Sequence, residues 1–209
     1  EWPLRHCQGR MRVPVIPVTD SPLADAELLR RYRRGDAEAF AVLYARHRLG
    51  LFRFLCGLCG DQSLAEEVFQ ETWLSLIRSA SEQREAVQFK TWLYQIARNR
   101  LIDHWRKLGR REALYDQFDE RQHAEADPAP TPEQQLGLAR DRERLQAALA
   151  DLPAEQREVF LLRAHADLEL VEIAELTQTP AETVKSRLRY AVNKLRRLLA
   201  DPTAEEVSA

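Results

Sequence analysis

The densest set of side chains able to do chemistry lies near the C-terminus. Lys185, Ser186, Arg187, Arg189 and Tyr190 fall within one short stretch, followed by Lys194, Arg196 and Arg197, with no acidic residue among them. Lysine and arginine donate to guanine O6 and N7, a serine hydroxyl donates or accepts, and the remaining cations suit phosphates. Such a set suits the reading of a nucleic acid better than the breaking of bonds, the alternative being a solvated charged helix over a core. A second cluster, Arg98, Arg100, Arg106, Lys107, Arg110 and Arg111, faces only Asp103. Cys56-Gly-Leu-Cys59 has metal or redox spacing, but it stands alone in an apolar run with Leu51, Phe52, Phe54, Leu55 and Leu58, which favours two small core residues. Asp103 and His104 are adjacent on a helix, so they diverge by about 100° and form no acid-base pair. The sequence contains no Gly-Lys-Ser/Thr phosphate loop, no His-Glu-x-x-His, no Gly-x-Ser-x-Gly and no clustered metal ligands. No catalytic residue, metal site or cofactor is expected, and the chain is not read as an enzyme.

The C-terminal cations need a rigid support, and the sequence supplies one. Leu170, Val171, Ile173, Ala174 and Leu176 outline a short helix, Thr177 and Gln178 a tight turn, and Thr179-Pro-Ala-Glu182 a capping box opening a second helix. On that helix Val184, Leu188, Ala191 and Leu195 recur at spacings of four, three and four and should pack inward, leaving Lys185, Ser186, Arg189 and Tyr190 outward. This is a helix-turn-helix, whose second helix fits the major groove of B-form DNA. Leu145, Ala148, Leu149, Leu152, Val159, Phe160 and Leu162, with Leu136 and Leu138 before them, would supply the core beneath it.

The N-terminal half is also helical. Asp36 precedes an apolar stripe running from Phe40, Leu43 and Tyr44 to Leu55, broken around Gly57 to Asp61. Ser63-Leu-Ala-Glu66 reads as a capping box before Val68, Phe69, Thr72, Leu76 and Ile77. Phe89, Trp92, Leu93, Ile96, Ala97, Leu101 and Trp105 form a third stripe ending in the first basic cluster, and Trp73, Trp92 and Trp105 at helical spacing are expected in the core.

Composition bounds the fold. The 209 residues are 44% apolar and 31% charged, with only seven glycines and no regular strand alternation, which excludes global disorder and sheet architectures. An all-α fold of two small helical domains follows: a lead over 1–23, extended or disordered, a helical bundle over 24–111, an acidic Pro-containing flexible linker over 112–135, a helix-turn-helix domain over 136–200 and a tail over 201–209. The formal charge of −2 hides a division: +5 over 24–111, −6 over 112–139 and +1 over 140–200. No apolar run reaches the ~20 residues of a membrane span, so no membrane insertion is expected. Three cysteines and no signal-like leader point to a reducing cytoplasm.

Five ordered blocks carry a resemblance: Gly35-Asp-Ala-Glu-Ala-Phe40 with Leu43-Tyr44, Ala65 to Leu74, Phe89 to Asn99 with Ile102 to Arg106, Leu152 to Phe160, and Thr183-Val-Lys-Ser-Arg187. Across about Ala26 to Leu199 the chain resembles the extracytoplasmic-function sigma factors, the small two-domain branch of the bacterial sigma-70 family. The resemblance implies an alternative sigma factor that joins core RNA polymerase and directs promoter-specific initiation. Glu67, Gln70 and Glu71 would then dock on the clamp helices of the polymerase largest subunit, with the flap a further contact. Arg98, Asn99, Asp103, Arg106 and Lys107 match positions that melt and hold the minus-10 element, and Lys185, Ser186, Arg187, Arg189 and Tyr190 match the minus-35 reader. The linker would pass through the polymerase channel, and an anti-sigma factor is an implied partner.

Three departures stand out. The loop Ser79 to Gln88 lacks the family's Phe-Arg-Gly-Asp pattern, Gln178 stands where the family has glycine in the turn, and Asp167 and Glu169 replace a glycine and a capping serine. A left-handed Gln178 would cost roughly 1 to 2 kcal/mol. Two other readings compete: a free-standing helix-turn-helix regulator, and a helical adaptor that meets only proteins. The first has no need of the Glu67, Gln70 and Glu71 face, and the second predicts no salt-dependent DNA binding.

Overall fold

A computed structural model of the chain describes residues 22–80, 88–107 and 144–200. The expected lead (apart from Pro22 and Leu23), acidic linker and tail, most of the Ser79 to Gln88 loop, and Leu136, Leu138, Arg110 and Arg111 lie outside the described residues. Those that are described fold into helices: α1 (Asp25–Arg33), α2 (Ala37–Cys59), α3 (Gln62–Ser79), α4 (Phe89–Lys107), α5 over 144–150, α6 (Ala154–Ala166), α7 (Leu170–Thr177) and α8 (Ala181–Leu199). The all-α expectation holds, with no strand among the described residues.

Local chemistry sets the helix ends, in two places differently from the expectation. Asp36 caps α2 by accepting from the amides of Glu38 and Ala39. The helix then runs unbroken through Gly57 to Cys59 and stops at left-handed Gly60 (φ 71°). The cap of α3 is Asp61, not Ser63: its carboxylate accepts from the amides of Ser63 at 2.8 Å and Leu64 at 3.3 Å, which draws Ser63 inside the helix. Glu66 accepts from Gln62 Nε2 at 3.0 Å.

At the head of α8, Thr179 donates its amide to Ala174 O at 2.9 Å and so closes α7. Pro180 takes the capping position of α8, and the expected Thr179–Glu182 box does not form. Between them Gln178 is left-handed (φ 54°), as is Asp167 (φ 49°) after α6. Both positions carry the backbone strain foreseen for Gln178. Glu169 opens α7, its amide donating to Glu172 Oε2 at 2.8 Å.

In the N-terminal half α2 packs on α1, α3 and α4; in the C-terminal half α6 packs on α7 and α8. Leu43, Phe54, Val68, Leu93 and Leu101 are buried in the first core, and Leu162, Ile173, Val184 and Ala191 in the second. Trp73 and Trp105 are buried and Trp92 half-buried, in line with core packing, and Cys59 is buried beside half-buried Cys56. Burial pushes the Cys59 thiol well above its usual range, which makes it a poor nucleophile. Val171 and Ile77, expected on apolar stripes, are instead exposed.

The two small helical domains are both present, and they pack on each other. Their buried residues form one continuous cluster through α2 and α6. Gly50 and Gly57, one face of α2 seven residues apart, make this approach possible. A Cβ at Gly50 would lie 2.6 Å from His165 O, and one at Gly57 2.8 Å from a Leu161 methyl.

Candidate nucleic-acid and partner interface

The outward face of α8 is built by its inward one. Val184, Ala191 and Leu195 are buried and Leu188 half-buried, which turns Glu182, Lys185, Arg189 and Tyr190 to solvent. Glu182 is 88% exposed, with its carboxylate 3.9 Å from Lys185 Nζ, and the Arg189 guanidinium lies 5.1 Å from the Tyr190 ring centre. Ser186 is half-buried and donates its hydroxyl to Thr183 O at 2.8 Å. Arg187 points elsewhere: it pairs with Glu155 of α6 and donates to Thr179 Oγ1 at 3.3 Å, tying the helix to its support. Of the five residues expected to read DNA here, three therefore share an open face and two are engaged within the fold. Glu182, assigned to a cap by its spacing, belongs to the open face; its failure to cap follows from Thr179 serving the preceding helix.

On α4 the expected residues divide between two faces. Asn99, Asp103 and Arg106 follow one another at spacings of four and three. Asn99 and Asp103 line a groove of about 500 Å³ with Arg100, Ser75, Arg78 and Ile96. Arg100 Nε donates to Ser75 Oγ at 3.0 Å, and Arg106 pairs with Asp103 at 3.2 Å. Lys107 is exposed at the helix end. Arg98 lies on another face, where Nε donates to Glu158 Oε1 of α6 at 2.7 Å, with side chains 21% and 7% exposed.

The Arg98 face continues toward the start of α4. Tyr94 donates its hydroxyl to His165 O at 3.1 Å, and Thr91 Oγ1 donates to Glu172 Oε1 at 3.2 Å. Thr91, Tyr94 and Arg98, at i, i+3 and i+7, thus form one helix face turned to the C-terminal half. Burial raises the Tyr94 phenol far above its usual range and keeps it a neutral donor. Sequence reasoning missed this interface, although two glycines inside one long helix are a readable sign of close approach.

On α3, Glu67 and Gln70 are exposed and Glu71 half-buried, opposite buried Val68 and Thr72. Leu74 and Ile77, 51% and 42% exposed, extend the same surface. The result is an acidic strip continuing into an apolar one, suited to a partner that is basic at one end and greasy at the other. His104 Nε2 of α4 sits 3.9 Å from Glu67 Oε2.

The family model described as Sigma-70 region 2 matches residues 43–111, and that described as Sigma-70, region 4 matches residues 148–197. RNA polymerase sigma-H factor of Pseudomonas aeruginosa is 30% identical over 179 residues, covering 81% of this chain and 92% of that protein. ECF RNA polymerase sigma factor SigL of Mycobacterium tuberculosis is 32% identical over 171 residues, covering 79% and 92%. The chain belongs to the extracytoplasmic-function sigma factors of the sigma-70 family. It is an alternative sigma factor for promoter-specific transcription initiation. Among solved structures, CnrH in complex with the cytosolic domain of CnrY aligns with a TM-score of 0.61 at 24% identity, covering 85% of this chain and 97% of that one. RpoE in complex with the anti-sigma factor NepR from Bartonella quintana gives 0.62 at 22%, covering 78% and 98%. Both support the fold.

In this sigma factor, region 2 takes in most of α2 together with α3 and α4, and region 4 runs from the end of α5 to near the end of α8. The open strip on α8 and the face of α3 therefore fall in different regions of the family. No helix among the described residues is long and apolar enough to cross a membrane.

Proposed function

We propose that this sigma factor docks on the clamp helices of the polymerase largest subunit through Glu67, Gln70 and Glu71, with Leu74 and Ile77 as apolar anchors. Region 4, with the flap as its support, sets α8 in the major groove of the minus-35 element. There Lys185 and Arg189 donate to guanine, Tyr190 offers an apolar edge, and Glu182 accepts from cytosine N4. Ser186 and Arg187 act at the rim, the first through its remaining lone pair and the second by fixing the helix on α6. At minus-10, Asn99 and Asp103 meet an unpaired base edge in the groove between α3 and α4, and Arg98, Arg106 and Lys107 hold the strand's phosphates. The polymerase performs nucleotide addition, the sigma factor works in the cytoplasm, and an anti-sigma factor restrains it. The restraint draws support from the fold neighbour RpoE, solved in complex with the anti-sigma factor NepR.

The observation that carries this reading is the open Glu182, Lys185, Arg189 and Tyr190 strip on a helix anchored from behind, in a chain that also carries region 2. Reconstitution with purified core polymerase and a promoter library tests it: initiation should depend on the added chain. Reversing Glu67 and Glu71 to lysine should abolish core binding with helicity unchanged. Initiation without the chain, or unaltered core affinity in the variant, would refute the corresponding assignment.

A further inference from the structure

The outward side of α2 carries a pattern that polymerase docking and DNA reading leave unused. Val42, Ala45, Leu49, Phe52 and Cys56 recur at spacings of three, four, three and four, the a and d positions of a heptad repeat. They lie opposite Leu51, Phe54 and Leu58, which are buried in the core. Leu49 is 46% exposed and the other four are half-buried. Neighbouring helices bound this strip and leave Leu49 open between them. On one side Arg46 pairs with Asp25 of α1 and Gly50 abuts α6; on the other Phe52 meets Phe69 of α3, ring centres 5.7 Å apart. In the same register Arg46 and Arg53 take the flanking e positions and Arg48 a g position, and no acidic residue lies between Glu38 and Asp61.

We propose that this strip is a docking seam for one amphipathic helix of a partner protein, apolar along its own a and d positions and acidic at e and g. Charge selects the occupant. A second copy of this chain would set arginine against arginine across the seam, and a membrane surface calls for an apolar face wider than an a/d stripe. The basic flanks are also opposite in sign to the Glu67 and Glu71 face of α3, so the seam and the polymerase-docking face call for different partners.

The probe is a fluorescein-labelled peptide of three heptads, with leucine at a and d, glutamate at e and g, and alanine or glutamine elsewhere; a version with lysine at e and g is its control. Anisotropy with the full chain should show the acidic peptide bound and the lysine peptide free. Leu49→Glu, at an exposed position, should weaken binding at least about tenfold with helicity unchanged by circular dichroism. Arg53→Glu should weaken the acidic peptide about threefold and strengthen the lysine peptide. Equal binding of the two peptides, or affinity indifferent to Leu49→Glu, would overturn the seam. Another occupant would overturn it as well: a dimer in light scattering that Leu49→Glu dissociates, binding to anionic vesicles without binding to the peptide, or peptide binding that emerges only once the acidic residues of 112–139 are made neutral. Core polymerase affinity should be the same in Leu49→Glu as in wild type; its loss would assign the seam to the polymerase and end the case for a separate partner.

Discussion

Helices α4 and α8 carry similar chemistry, a row of cations on an apolar-backed helix, but the fold makes them available to different degrees. The α8 helix packs by one face onto α6 and α7, and everything opposite that face is open. The α4 helix lies between α3 and the other half of the molecule, so the strip through Asn99, Asp103 and Arg106 stays open while Arg98 is held by Glu158. Charge composition alone ranks the two helices as equals. What separates them is how many neighbours each must satisfy: a helix with one supporting face can offer the rest of its surface, and a central helix cannot.

The sharpest challenge to this comparison asks whether the two halves unfold together. Leu161 is fully buried in region 4 and touches Gly57 of region 2. Leu161→Ala should cost about 2 to 5 kcal/mol. Of the four tryptophans, Trp73, Trp92 and Trp105 lie in region 2, Trp2 lies near the N-terminus and residues 144–200 hold none, so indole fluorescence carries no signal from within region 4 and, with Trp2 replaced by phenylalanine, reports on region 2. A shared core predicts that its urea midpoint falls with this region 4 substitution; an unmoved midpoint would mean that the halves are energetically independent. A smaller effect is expected at the exposed helix. Lys185→Ala and Arg189→Ala should each lose about 1 to 3 kcal/mol of minus-35 duplex affinity, most steeply at low salt, whereas Arg98→Ala in the wild-type background should change duplex binding little. Equal losses at Arg98 and Arg189 in gel-shift titrations would erase the contrast between α4 and α8.

How much of this was legible in the sequence depends on the range of the interaction. The inward row of Val184, Ala191 and Leu195, and with it the outward Lys185, Arg189 and Tyr190, follows from the helical period. So does burial of Trp73 and Trp105. Caps were legible in kind and misplaced in position, because Asp61 and Ser63 both offer a capping oxygen and only backbone geometry selects between them. Thr179 shows the same limit: a turn of so few residues makes it close α7, leaving Glu182 free on α8. The Arg98–Glu158 pair was not legible, since residues sixty apart in sequence meet only through the packing of α2 on α6. Gly50 and Gly57 alone hinted at that packing.

Acidification tests the same junction more gently. His165 lies where α6 meets α2 and α4, and burial first, then the charge of Arg53, holds its imidazole below the usual 6.5. The unfolded chain therefore binds the proton more readily, so the stabilising contribution is full above about pH 6.5 and is lost as pH falls toward and through the lowered folded value. Asp25 acts in a lower window. Burial alone would raise its carboxyl, but His47 and Arg46 outweigh that and pull it below 3.8, so its contribution fades only under strongly acid conditions. Urea midpoints should drop modestly between pH 7.5 and 5.5 in wild type and stay flatter in His165→Gln. Identical slopes would remove His165 from the junction's energetics.

The smallest expected change isolates region 4 from the junction altogether. Gln178 occupies the left-handed region at φ 54° in the turn between α7 and α8 and is exposed to solvent. Glycine there relieves about 1 to 2 kcal/mol of strain but returns about 0.4 to 1 kcal/mol of chain entropy to the unfolded state, leaving a net gain under about 1.5 kcal/mol. Gln178→Gly should raise the melting temperature by a few degrees with minus-35 affinity unchanged, because Lys185 and Arg189 are fixed by Val184 and Ala191 behind them, not by the turn. If affinity moves with stability, the turn positions the reading face, and α8 depends on its surroundings as closely as α4 does.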